Sequence, residues 1–140
     1  MKNILIVCTA NKTRSVMAME IANYTAWVNG ADYSFKSAGI ALVGGQPDEN
    51  VARVLSEISI NSLPHNPVSI NSCDITEFDA IHVMNQRQKI TLCSYYNAID
   101  IADKITVLNV DDPFSKGIGS YRNCRDTLVH FYERFVTNEK

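Results

Sequence analysis

The sequence has few of the features that fix a function class at once. No apolar run approaches the length that spans a bilayer, and the N-terminus has one lysine before a strand-like run, without the cleavage site of a secretory leader. The net charge is −2, from 13 basic and 15 acidic residues, so no basic field points to nucleic acid or an anionic membrane as partner. The cysteines Cys8, Cys73, Cys93 and Cys124 have no paired spacing, which argues against a disulfide framework or a zinc site and for a reducing, cytoplasmic setting. His65, His82 and His130 show no ligand spacing either. Internal repeats, low-complexity tracts and linkers are also lacking.

What is there is ordinary for a soluble globular chain: 140 residues, 46% hydrophobic and 20% charged. That length suits one domain over 1–140 with a sizeable core. The pattern predicts a strand at 2–8, a polar loop at 8–15 and a helix to 28, with Met17, Ile21, Tyr24 and Val28 facing a sheet and Asn29-Gly30 closing it. A second strand is expected at 33–38, a loop at Gly44-Gly45-Gln46-Pro47, and a helix at 48–58 with Val51, Val54, Leu55 and Ile58 on one face. After a loop at 61–72 and one helical turn at 73–77, the run 78–84 reads as a central strand because it is apolar on both faces. A helix at 86–95, a strand at 104–110 and a last helix capped by Ser120, with Cys124, Leu128, Phe131 and Phe135 at core spacing, complete the alternation. Alternating strands and helices make an α/β domain with a four-stranded parallel sheet and helices on both faces.

In such sheets ligands sit at the carboxyl ends of the strands. Cys8 stands at one such end, in Cys8-Thr9-Ala10-Asn11-Lys12-Thr13-Arg14-Ser15. A strand, a short polar loop and a helix N-terminus form an anion cradle, and an arginine fork at the helix start can grip two oxygens of a phosphate. A cysteine there is more than a small buried residue. The helix N-terminus, Arg14 and a hydrogen bond from Ser15 would all favour the thiolate, and a thiolate under a phosphate suits attack on phosphorus. Asp112, or Asp111 beside it, lies at the end of the fourth strand and could protonate the leaving oxygen and then activate water. By spacing alone Asp111-Asp112-Pro113 reads equally as a turn signal.

These residues resemble the low-molecular-weight protein tyrosine phosphatase family over nearly the whole chain. The loop from Cys8 to Ser15 is similar to its phosphate-binding loop, Ser37-Ala38-Gly39 to its motif after the second strand, and Asp112-Pro113 to its late Asp-Pro. The resemblance implies a sheet of order 2-1-3-4. It implies Cys8 as nucleophile, Arg14 as oxyanion clamp, Ser15 as thiolate stabiliser, and Asp112 as acid and then base. It also implies Asn11 as the residue holding the loop, braced by Ser37 and His65. Main-chain N–H groups from Thr9 through Ser15 would hold the phosphate, with no metal and no cofactor. Phe114 stands where an aromatic often lines the pocket mouth, although a partly exposed loop aromatic reads equally well.

Some positions depart from the family. Ala10 replaces a glycine, which costs energy if its φ is positive. Thr13 replaces a second cysteine, so a protective local disulfide with Cys8 is unavailable. Val16 replaces a proline, and Asn85 an Asp or Thr. Lys12, at the pocket rim, would draw doubly charged phosphate and repel a phosphoarginine side chain, unless it points away into solvent. The expected substrate is a phosphotyrosine-containing protein. Two other readings stand beside it: an anion-binding regulatory module with weakened catalysis, and thiol-dependent arsenate reduction, which needs a relay of further cysteines. Tyr95, Tyr96 and Tyr121 read equally as surface contacts or as packing, so the oligomeric state stays open.

Overall fold

A computed structural model describes residues 1–44, 48–96 and 101–138. Among the described residues the chain order is β1 (Lys2–Cys8), α1 (Arg14–Val28), β2 (Tyr33–Gly39), α2 (Glu49–Ser56), 3-10 turns at Ile70–Ser72 and Ile75–Glu77, β3 (Ala80–Val83), α3 (Gln86–Tyr96), α4 (Ile101–Lys104), β4 (Ile105–Val107) and α5 (Ile118–Asn138). The strands are all parallel, in the expected order β2-β1-β3-β4. β1 is central, and its apolar run faces two cores. Ile4 and Ile6 join the core under α1, α2 and α5, whereas Leu5 and Val7 join the core with Ile81, Val83, Leu92 and Ile105. Helices therefore cover both faces of one α/β domain.

Several boundaries differ from the sequence expectation, each for a local reason. α1 buries Met17 and Ile21 but leaves Tyr24 and Val28 41% and 57% exposed. Its buried stripe turns instead toward Ala18, Ala22, Thr25 and Ala26, because α1 packs on α5 as well as on the sheet and small residues permit the close approach. α2 starts one residue late, with Asp48 as its N-cap, and ends before Ile58; Ser59 then takes a left-handed φ of 65°. Two short 3-10 turns replace the single turn expected at 73–77. β3 is shorter than 78–84 because Phe78 closes the second of those turns.

β4 covers only Ile105–Val107, after the turn of α4. Backbone bonds to β3 persist beyond it, from Leu108 N to Val83 O and from Val110 N to Met84 O, but Asn109 sits at φ 57° and breaks the regular ladder. α5 begins at Ile118, so Ser120 lies inside it, and its fully buried line is Tyr121, Cys124, Leu128, Tyr132 and Val136. Phe131 and Phe135 are only partly buried; they pack edge-on around His82. Tyr121 is core, Tyr96 donates to Ile70 O, and Tyr95 is exposed. The loop expected at 44–47 lies outside the described residues beyond Gly44.

Candidate active site

The loop between β1 and α1 is held by Asn11. Its φ of 56° is a left-handed conformation that asparagine tolerates better than most residues. Its side chain is fully buried, and Val68 N–H donates to its Oδ1 at 2.8 Å, which fixes the amide orientation. Nδ2 therefore donates to Ser15 Oγ, at 2.8 Å. His65 Nε2 lies 3.1 Å from both the Oδ1 and the backbone O of Asn11. Both are acceptors, so Nε2 carries the proton. Burial lowers the pKa of His65, against the opposing pull of its bond to Asn11, and the neutral Nε2–H form is the one that suits this contact.

The same network reaches the sulfur. Ser15 Oγ is 2.9 Å from Cys8 Sγ, and since Asn11 Nδ2 already occupies an acceptor site of that hydroxyl, its hydrogen is free to point at sulfur. Asn11 N–H also donates to Sγ, at 3.3 Å. Two donors therefore converge on one buried sulfur. Thr13, the N-cap residue of α1, makes no side-chain cap bond. Its hydroxyl donates instead to Asp48 Oδ2 at 2.9 Å, leaving the partial positive end of α1 facing the loop. Tyr121 donates to the same Asp48 oxygen at 2.6 Å, and Asp48 Oδ1 accepts from Asn50 N–H at 3.1 Å. Burial, and then the bond to the Asp48 carboxylate, push the Tyr121 phenol up to about 12.

Arg14 is buried and donates through Nη1 to Val110 O at 2.9 Å, while its Nη2 is 3.9 Å from Asp112 Oδ2. Asp112 itself is half-exposed, and its Oδ1 accepts from Phe114 N–H at 3.1 Å, a local turn that aims the other oxygen along the cleft. Cys8, Arg14, Asp112 and Phe114 thus line one cleft of about 500 Å³. Its mouth is apolar, with Phe114 63% and Val43 73% exposed. Lys12 also lines it, but does not swing into solvent: its Nζ donates to Gly44 O on the facing loop. The arrangement can hold a tetrahedral anion over a thiolate with a carboxyl group beside it.

The structure brings together most of the residues singled out in the sequence, and two expectations change. Ser37 does not brace Asn11; its hydroxyl is buried with no hydrogen-bond partner among the described residues, because Val68 N–H and His65 take the Asn11 oxygens. Ala10 has no positive φ, since the left-handed position falls on Asn11, so the condition under which its methyl group would cost energy is not met. Other participants were missed. Gly39 pairs with Cys8 in the sheet, and a Cβ there would lie 2.8 Å from Thr9 O and 3.0 Å from Ala10 C. A glycine ending a strand beside a functional loop is a signal of close backbone approach. Gln88 links Met84 N–H to Thr9 Oγ1, at 2.8 and 3.3 Å, and Asp48 ties the loop to α5; nothing in the local sequence announces either.

Comparison with known proteins identifies the family. A family model described as low molecular weight phosphotyrosine protein phosphatase matches residues 3–139. A low molecular weight protein-tyrosine-phosphatase, Ptp, from Acinetobacter johnsonii is 35% identical over 89 residues, 63% of this chain; the match spans 60% of that relative's length. The crystal structure of a low molecular weight protein tyrosine phosphatase from T. tengcongensis is 27% identical and superposes with a TM-score of 0.90, over 99% of both chains. The YwlE arginine phosphatase from Geobacillus stearothermophilus shares the fold, at 24% identity and a TM-score of 0.87, over 99% of this chain and 92% of its own. With the loop, the sheet order and the family model in agreement, the chain belongs to the low molecular weight phosphotyrosine protein phosphatase family.

Proposed function

We propose that the protein hydrolyses phosphotyrosine in polypeptides, and simple aryl phosphates, through a phosphocysteine intermediate. The observation that carries this reading is the convergence of Ser15 Oγ and Asn11 N–H on Cys8 Sγ in the cleft that Arg14, Asp112 and Phe114 also line. In the first step Sγ attacks phosphorus and the bond from phosphorus to the phenolic oxygen breaks. Asp112, protonated, gives its proton to that oxygen as it leaves. Charge on the non-bridging oxygens is met by the Arg14 guanidinium and the N–H groups of the loop from Thr9 to Ser15. In the second step Asp112, now a carboxylate, takes a proton from water as the water oxygen attacks phosphorus. The sulfur–phosphorus bond breaks and inorganic phosphate leaves. Ser15 supports Cys8 as leaving group through its hydroxyl bond to the sulfur.

The apolar mouth supports an aromatic phosphoester over phosphoarginine. Phe114 and Val43 offer faces for a tyrosyl ring, and the Lys12 ammonium would repel a guanidinium. The scheme needs no metal and no cofactor. The test is turnover of an aryl phosphate and of matched phosphotyrosine and phosphoarginine peptides by the native protein and by Cys8→Ser. Phosphotyrosine turnover that vanishes in the variant supports the reading. Folded native protein that binds phosphate without turnover overturns it in favour of an anion-binding module, and preference for the phosphoarginine peptide overturns the substrate assignment alone.

A further inference from the structure

A second cleft, of about 460 Å³, adjoins the first. The two share Lys12, Asp48 and Glu49, so only that ridge separates them. The floor of the second is apolar, made by Val16 at the start of α1 and by Val51 and Ala52 of α2. Its outer wall is Leu63, Pro64 and Pro67, and Leu63 is 74% exposed, a large aliphatic side chain left facing solvent at the edge of a hollow.

The wall is registered on the phosphate loop. His65, within it, holds Asn11 at 3.1 Å, and the Glu20 carboxylate takes a backbone hydrogen bond from Leu63. The ridge is equally fixed: Asp48 is held by Thr13, Tyr121 and Asn50. The second cleft therefore stands at a set position relative to Cys8 and Arg14. Lys12 and Asp48 on the ridge already have partners, which leaves Glu49 as a charge at an exposed rim, where an ion pair contributes less than the burial of an aliphatic side chain.

We propose that this second cleft binds an aliphatic side chain of the substrate polypeptide, within one or two residues of the phosphorylated one, while the phosphate occupies the first. The inference rests on the phosphatase reading above. The cleft is a specificity subsite: it acts on polypeptide substrates and is idle with small aryl phosphates.

The test uses phosphotyrosine peptides in which each flanking position is varied through Leu, Ala and Glu. Native protein and two variants are compared: Ala52→Glu, which puts a charge on the floor at an exposed helix position, and Leu63→Ser, which removes the large aliphatic side chain from the outer wall. Native protein should favour Leu over Ala at one flanking position by about tenfold in kcat/KM, mostly through KM, since ground-state and transition-state binding gain alike. Both variants should reduce that ratio to near one while turning over aryl phosphate as the native protein does. A Leu preference equal in all three proteins overturns the subsite, as does a flat native series or a preference for Glu. Absence of aryl phosphate turnover by native protein overturns the underlying phosphatase reading, and the subsite with it, so the two failures are distinguishable.

Discussion

Asn11 sits at φ 56° with its side-chain nitrogen engaged on Ser15 within the loop and its oxygen on Val68 and His65 beyond it. Replacement by alanine would leave Val68 N–H unpaired, take one of two acceptors from His65, release Ser15, and place a poorly suited residue in the left-handed region. We expect Asn11→Ala to lower stability by about 3 kcal/mol in urea denaturation and aryl phosphate turnover by more than tenfold. Gly39→Ala should be costly for a different reason: its new methyl would meet the Leu42 side chain and also the backbone of Thr9 and Ala10, which cannot turn away. Turnover should fall sharply while the sheet persists by circular dichroism; unchanged turnover would show that the loop can retreat from β2. These residues mark what the sequence discloses at this scale. Cys8, Arg14 and Ser15 are legible because strand, loop and helix are contiguous there. The bond from Val68 to Asn11 joins residues far apart in sequence, and no local pattern encodes it.

Among the elements, α2 shows how a cap can serve more than its own helix. Asp48 caps it through Asn50 N–H and also accepts from Thr13 and Tyr121, so one carboxylate joins the phosphate loop, α2 and α5. Asp48→Ala should lower stability by about 2 kcal/mol and Tyr121→Phe by about 1 kcal/mol. A double-mutant cycle in urea should give a coupling near 1 kcal/mol; a value of zero would mean that the two groups do not depend on each other. The sequence shows Asp48 only as a helix start. In the same way the α1 periodicity located the helix but misplaced its buried stripe, because α5, which turns that stripe toward Ala18, Ala22 and Ala26, lies a hundred residues on. Periodicity reports that a helix has an apolar face, and its packing partners decide how far around that face extends.

At the scale of the whole molecule, the two cores differ in their sensitivity to acid. His82, on β3, is buried among Phe131, Tyr132 and Phe135, with its Nδ1 2.9 Å from the Tyr132 hydroxyl. Burial lowers its pKa from 6.5 to about 4. The unfolded chain therefore binds a proton at a pH where the folded protein does not. The stability this group confers is complete above pH 6.5 and is lost as pH falls toward 4, by roughly 3 kcal/mol in all. Urea midpoints measured between pH 7 and pH 4 should fall in that window, and His82→Gln should flatten the fall. A variant with the same pH dependence as the native protein would assign the loss elsewhere. The alternation of strands and helices announced a parallel sheet and the family resemblance its order, yet the buried group that titrates in this pH window read in sequence only as one more histidine without a ligand pattern.

The bond from Arg14 to the Val110 carbonyl spans 96 residues of chain. A contact of that sequence separation closes late, after the loop entropy of everything between has been lost. During synthesis the N-terminal segment can form β1 and α1 early, but the Arg14 side chain is not anchored until the stretch after β4 has emerged, and α5 must follow before α1 has its helix partner. A partly made chain therefore carries the Cys8 thiol before Asp112 has taken its place beside Arg14. In refolding from urea, return of aryl phosphate turnover should accordingly track the slowest structural phase rather than the first recovery of helix signal.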